Sequence, residues 1–356
     1  MNKLTTTIIL MFLAFTTQIG AAPNAAKAGK GTQNTSKATA TAPQPSTNVL
    51  QQAMETLNVS KLLYAIEFLE KPIRLPDRSA NLNFTARQEE TDKGIVVKAF
   101  KPEGEAKKMY HAAELDFESH KFAAAREKYK KTMLIDPSQT WMMTFIAQTY
   151  GIEKKFNEAE SWYKKSIEAN YIDYLAHWLL ADIYMLKGEK QKAIFEISVA
   201  KVLNRNNPNL ERKRKEVYAA NGLDSTSWTF HPQAIVEKST ANKVTIKADS
   251  LWMHYAIVKA AWENEPEFRE SRIKNSPRKN KDEVKELDCI LGLLLPNADK
   301  KGIPVIDRLN KAMDANKLEE FMFYEITLLD HPDFAYYLEP EKIMSLADYL
   351  VLMARK

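Results

Sequence analysis

Residues 106–139 read AKKMYHAAELDFESHKFAAAREKYKKTMLIDPSQ, residues 140–173 read TWMMTFIAQTYGIEKKFNEAESWYKKSIEANYID, and residues 174–205 read YLAHWLLADIYMLKGEKQKAIFEISVAKVLNR. Stacked at a period of 34, they fall into columns. Ala113, Ala147 and Ala181 form one, Ala125, Ala159 and Ala193 a second, and the small residues Thr132, Ser166 and Ala200 a third. Tyr129 and Tyr163 share a fourth that Ile197 continues. Phe122 and Phe156 share a fifth, where the third copy has Lys190. Tyr150 and Tyr184 share a sixth, where the first copy has Asp116. This spacing predicts two helices per period, joined by turns at His120-Lys121, Lys154-Lys155 and Gly188-Glu189. Alanines belong where two helix backbones approach closely, and aromatics fill the wedge between them. One such hairpin cannot bury its apolar face alone, so the copies must stack. Pro137 sits where the second helix of the first copy must stop.

On these columns the segment 106–205 resembles the tetratricopeptide repeat family, in about three copies. The chain departs from the family pattern at Met109 and His177, where Trp is common, and at Asp116. The resemblance implies an all-α fold, an α-solenoid of helix-turn-helix (TPR-like) repeats whose first helices line a concave groove. It places Tyr110, Glu114 and Phe117 in that groove from the first copy, beside Lys107 and Glu118. Trp141, Gln148 and Ile152 enter from the second copy with Thr144, and Trp178, Asp182 and Met185 from the third with Leu175 and Leu186. The Lys, Arg and Asn cluster with which some members grip a peptide carboxylate is missing. The remaining lining is aromatic and aliphatic with acidic spots. It suits an apolar or amphipathic segment of a protein or peptide partner, with Trp141 and Trp178 as anchors. The alternative is that the chain's own helix at 49–70 or its C-terminal region fills the groove.

The flanks complete a five-part organisation: 1–21, 22–48, 49–104, 105–222 and 223–356. Met1-Asn2-Lys3, the apolar run 8–15 (IILMFLAF) and Gly20-Ala21-Ala22 have the order of a secretory signal peptide, with cleavage expected after Ala21. The run is shorter than the ~20 residues that span a bilayer, so no membrane span is expected in the mature chain. Residues 22–48 hold no aromatic residue and read as a disordered tether. Leu50, Met54, Leu57, Leu62, Leu63, Ile66 and Leu69 predict one leading helix over 49–70, ended by Pro72. Residues 73–104 read as connector with a strand at 94–100. Residues 210–220, with Glu211, Arg212, Lys213, Arg214 and Lys215 in a row, read as a solvated capping helix. In the mainly helical C-terminal region a hairpin is expected within 228–247. Helices are expected at 251–262, 282–295, 304–329 (broken near Asn316) and 340–355, with an exposed loop at 263–282.

Charge and chemistry narrow the function. The chain has 356 residues and a formal net charge of +5. Lys3, Lys27, Lys30 and Lys37 are the only charged residues of 1–48, which leaves 47 basic and 46 acidic residues in the rest. A nearly neutral body does not make the concentrated positive field that nucleic acid needs. The single Cys, Cys289, excludes an internal disulfide and reads as a small buried hydrophobe. The six His form no ligand-spaced pair, there is no phosphate loop, and Glu263, Glu265 and Glu267 read as a solvated run. No cofactor, metal or catalytic residue is therefore assigned. The expected role is a non-enzymatic, exported scaffold or adaptor, periplasmic or secreted. The alternatives are a structural subunit of an envelope or secretion assembly, and an enzyme with a site near His254 or Glu263.

Overall fold

The apolar spacing of residues 49–70 is divided between two elements, where the sequence predicts one helix. In the computed structural model, which describes residues 49–76, 85–278 and 280–355, helix α1 (Val49–Val59) ends before Ser60 and strand β1 (Leu63–Phe68) follows. Spacings of three and four fit a helix, but pairing with a distant strand overrides that local pattern. Leu63 N donates to Asn242 O at 2.8 Å and Leu69 N to Ala248 O at 3.1 Å, closing both ends of a parallel ladder. The signal and tether segments, 1–48, lie outside the described residues.

The expected connector also holds a hairpin. Strands β2 (Ala86–Thr91) and β3 (Gly94–Ala99) pair antiparallel. Gly94 takes a φ of 107°, which only glycine adopts without strain, and Thr91 Oγ1 donates to its carbonyl at 2.7 Å. The strand expected at 94–100 is β3. The hairpin is anchored to the rest of the protein by Asn170 Nδ2 on Ala86 O (2.8 Å) and Gln88 Nε2 on Tyr336 O (2.9 Å).

Three helix pairs then stack as the 34-residue columns demand: α2 (Gly104–Glu118) with α3 (Phe122–Ile135), α4 (Met142–Ile152) with α5 (Phe156–Ala169), and α6 (Tyr174–Lys187) with α7 (Lys190–Leu203). All six column alanines are fully buried, as are Tyr129, Tyr163 and Ile197. Each large aliphatic side chain taken fully out of water here, such as Leu180 or Ile197, contributes about 1.5–3 kcal/mol. The turns form a column of their own. His120, Lys154 and Gly188 have φ of 59°, 60° and 75°, so all three are left-handed. Only the third copy uses glycine there, and the first two carry the strain of a side chain in that region.

Helix α8 (Pro208–Ala220) continues the stack, with Asn207 accepting from Asn209 N and Leu210 N at its start. Its charge run is not the solvated face expected. Lys213 and Arg214 are buried, Lys213 on Asp182 at 3.0 Å and Arg214 on Glu211 at 2.8 Å. Lys213 faces the repeat stack through Asp182, and Arg214 is covered beside the Ser225 and Thr226 carbonyls, so two of the run's five residues lie inward, where charge must be paired.

The C-terminal region also takes in α1 and β1 from before the repeats. β4 (Ala234–Thr240) and β5 (Lys243–Ala248) form the expected hairpin, and β1 adds to β5 in the order β1-β5-β4. Asp249 caps the turn into α9 (Met253–Asn264) through Leu251 N and Trp252 N. Residues 263–282 are not a loop: α10 (Pro266–Asn275) fills half of them, because Pro266 stands at the first helical position, where its missing N–H costs nothing. α11 (Lys281–Leu294) and α12 (Pro304–Asp314) follow. Asn316 (φ 55°) breaks the chain before α13, which runs from Leu318–Met322 through a π-helical turn, Phe323–Thr327, to Leu328–Asp330. A 3-10 turn (Pro332–Tyr337) leads to α14 (Pro340–Ala354).

One carboxylate ties four of these helices together. Asp288 of α11 takes a two-pronged contact from Arg272 of α10 (2.6 and 2.7 Å) and the indole N–H of Trp262 of α9 (3.0 Å), while Arg272 also reaches Gln52 of α1 (3.2 Å). Glu265 accepts from Ser60 Oγ and Tyr64 Oη, which fixes the turn between α1 and β1. The acidic run 263–267 is therefore partly structural rather than solvated. Residues 49–68 and 234–294 form one composite module. No helix among the described residues is long and apolar enough to cross a membrane.

Candidate functional site

The first helix of each pair presents the residues expected in the groove, and they divide by depth. Glu114, Phe117, Gln148, Trp178 and Asp182 are buried, while Tyr110, Trp141, Ile152 and Met185 keep part of their surface in solvent. Trp178 is 3% exposed, so it belongs to the packing of α6 and is not available as an anchor.

Trp141 stands at the head of α4, where the 136–141 turn delivers it with its indole N–H on Gln139 Oε1 at 3.1 Å. Around it lies an aromatic cluster. Tyr110 is 5.3 Å away between ring centres, Phe145 meets it edge-on at 5.0 Å, and Phe100 stacks on it at 5.6 Å and 15°. Arg87 of β2 lies 5.6 Å over the Phe100 ring. Phe100 is the residue that the groove reading missed. Its signal was present as the last apolar position of GIVVKAF, but nothing in that alternation tells which repeat it meets.

Glu114, Gln148 and Asp182, spaced by 34, form a buried polar column, one residue per copy. Glu114 accepts from the Tyr129 hydroxyl, and Asp182 pairs with Lys213. Burial holds both carboxyls above their ordinary values, against the pull of the tyrosine hydroxyls on Glu114 and of Lys213 on Asp182. The middle member is different. Gln148 is fully buried and, among the described residues, neither its Nε2 nor its Oε1 has a partner, nor has the Tyr163 hydroxyl of the same copy.

The chain's own segments take other positions. α1 packs against α9, α10 and α11, and α14 packs against α7, the second helix of its pair. The principal neighbours of α2, α4 and α6 are other repeat helices. Residues 49–70 therefore do not fill the groove. At its far end Met185 meets the Asn221 side-chain amide at 3.5 Å.

A second concavity, a half-open cavity of about 400 Å³, lies where α7 and α8 meet α12, α13 and α14. Neither His254 nor Glu263, the residues around which an enzymatic site was weighed, lines it. Among the described residues no group of three or more His, Cys, Asp or Glu is placed to hold a metal ion. Cys289 is buried, and burial pushes its thiol well above the usual range, as for a packing residue.

No family model matches the sequence, and no curated protein gives a significant match. Among solved structures, the first tetratricopeptide repeat domain of Spaghetti (RPAP3), bound to an HSP90 peptide, is 21% identical over 33% of this chain and 93% of its own, with a TM-score of 0.31. A tetratricopeptide repeat protein from Parabacteroides merdae is 11% identical over 68% of this chain and 98% of its own, with a TM-score of 0.25. The assignment of a helix-turn-helix repeat stack rests on the helix pairs themselves and their 34-residue columns.

Proposed function

We propose that this chain is an exported helical-repeat scaffold that holds an apolar or amphipathic segment of a protein partner on the first-helix face of its repeats. The observation that carries the reading is the partly exposed shelf of Tyr110 and Trp141, on a face that α1 and α14 leave to the repeat helices. Aromatic side chains of this kind bind by burying large area at small entropic cost. The charged, apolar, small-residue order of residues 1–22 supports export to a periplasmic or secreted setting.

The test is co-purification of the tagged mature protein from its exported fraction, wild type against Tyr110→Ala/Trp141→Ala. Trp178 is left intact because its burial would confound binding with folding. A partner kept by wild type and lost by the variant supports the shelf. A partner kept by both overturns it. Mass spectrometry of the same material reads the mature N-terminus, and an uncleaved chain overturns the export reading.

A second reading, a fixed subunit of a larger assembly, draws on β1. This strand is an edge of its sheet, and Leu63, Ile66 and Phe68 are exposed along it. Unpaired edges of this character accept strands from other chains. Loss of the partner in Ile66→Lys/Phe68→Lys, with the Tyr110 and Trp141 changes silent, favours that reading.

A further inference from the structure

We infer that the cavity between the repeat stack and the C-terminal helices is a binding site for a small organic monocarboxylate with an apolar body. The inference starts from how its charges are spent. Four cations line it: Lys201, Arg205, Arg214 and Arg308. Three are committed. Lys201 reaches Glu211 (3.0 Å) and the Arg205 carbonyl. Arg214 grips Glu211 with two nitrogens (2.8 and 3.1 Å) and approaches the carbonyls of Ser225 and Thr226. Arg205 donates to Tyr324 O at 2.7 Å and to Glu325 at 2.8 Å.

Arg308 is the exception. Among the described residues its guanidinium makes no hydrogen bond and no ion pair: it lies over the face of Trp228 at 4.7 Å, and its charge pulls down the carboxyls of Asp224 and Glu325 from beyond bonding distance. Stacking on an aromatic face orients a guanidinium while leaving its in-plane N–H groups free for a carboxylate. The cavity's acids are Glu211, Glu325 and Asp224, the last bonded to Thr226 N and Oγ1. Four cations against three carboxylates leave one positive charge over. That surplus fits a singly charged anion and not a dianion such as phosphate.

Size and lining define the rest of the ligand. About 400 Å³ falls in the range of small-molecule pockets. Trp228, Leu329, Leu350 and Met353 make one apolar wall beside the charged one. The π-helical turn 323–327 supplies part of the charged wall, placing Tyr324 and Glu325 at the cavity, and such turns recur at functional sites. Glu325 is held there by Arg205 and by the Tyr349 hydroxyl at 3.2 Å, so the wall is fixed before a ligand arrives.

The test uses the full mature chain and three probes: phenylacetate, its neutral isostere phenylacetamide, and inorganic phosphate. Titration calorimetry reads affinity, and tryptophan fluorescence in wild type against Trp228→Phe reports whether the ligand arrives at this wall. Phenylacetate should bind, quench Trp228, and bind at least about tenfold more tightly than phenylacetamide, as one charge-assisted pair predicts. Arg308→Gln should erase that preference while keeping the wild-type circular dichroism, because among the described residues no hydrogen bond or ion pair of the fold is lost with it. Equal binding of acid and amide, an unchanged preference in Arg308→Gln, tighter binding of phosphate than of phenylacetate, or no binding of phenylacetate overturns the inference.

Discussion

The repeat stack and the composite module are both helical in the main, yet they are held by different kinds of contact. In the stack each helix packs on its neighbours in sequence, and the decisive side chains are small, apolar and repeated. In the module α1 and β1 pack on elements roughly 200 residues away, through a parallel ladder, the half-buried carboxylate of Glu265, and Arg272, which links Gln52 to the buried Asp288. A stack of local units tolerates a fault in one layer. A module closed by long-range polar contacts concentrates its vulnerability at a few atoms.

The sharpest separation of the two comes from Asp288→Ala. It strands Arg272 and the Trp262 indole N–H inside the module and should cost about 3–5 kcal/mol. In urea unfolding, a transition reported by the module should move while one reported by the repeats holds. A single transition that shifts as a whole would break the comparison and make the two regions one cooperative unit.

Within the stack, Gln148→Met should stabilise by about 1–2 kcal/mol, because a buried amide with no partner is replaced by an apolar chain of similar length. A lower urea midpoint would mean that Gln148 has a partner in solution. Smaller still, His120→Gly and Lys154→Gly should each raise stability by about 0.5–1 kcal/mol by relieving a left-handed side-chain-bearing residue. The same change at Asn316, at the break before α13, tests whether the gain belongs to the repeat turn or to any left-handed position.

The last comparison is between wild type and Glu114→Gln as pH falls. Burial holds the Glu114 carboxyl above its ordinary 4.5, so the native chain takes up a proton before the unfolded one does. As pH falls from 7 toward 4.5, wild type should therefore gain stability relative to the variant, which cannot titrate at this position. A difference in urea midpoints that stays constant between pH 7 and 5 would show that Glu114 is not strained by its burial.

The same contrast explains how far the sequence could be read. Ala113, Ala147 and Ala181 announce the stack because one cause, backbones in close approach, recurs at a fixed interval. The turns were placed at His120, Lys154 and Gly188 for the same reason. Leu62, Leu63, Ile66 and Leu69 mislead because their spacing suits a helix, and the strand that claims them is far away in the chain. Pro266 misleads in the opposite sense, since a proline ends one helix and opens another with equal ease. The expected groove residues lie on the first helix of each pair, or for Trp141 at its head. Register alone does not tell which are covered, and Trp178 went under while Trp141 met Phe100. The cavity at Arg308 left no motif, because its walls converge from α7, α8, α12, α13 and α14.

The parallel pairing of β1 with β5 also sets a clock. Leu63 pairs with Lys243, 180 residues later, so during synthesis at 5–20 residues per second β1 waits roughly 10–40 s for its partner. The repeats need little such delay, since each helix packs chiefly on its neighbours in sequence, while the face of α7 that meets α14 waits longer. For that interval an edge bearing Leu63, Ile66 and Phe68 is unpaired on both sides. The nascent chain thus carries a largely stacked set of repeats behind an unpaired strand. Whatever shields that strand during those seconds decides how much of the protein reaches its native state.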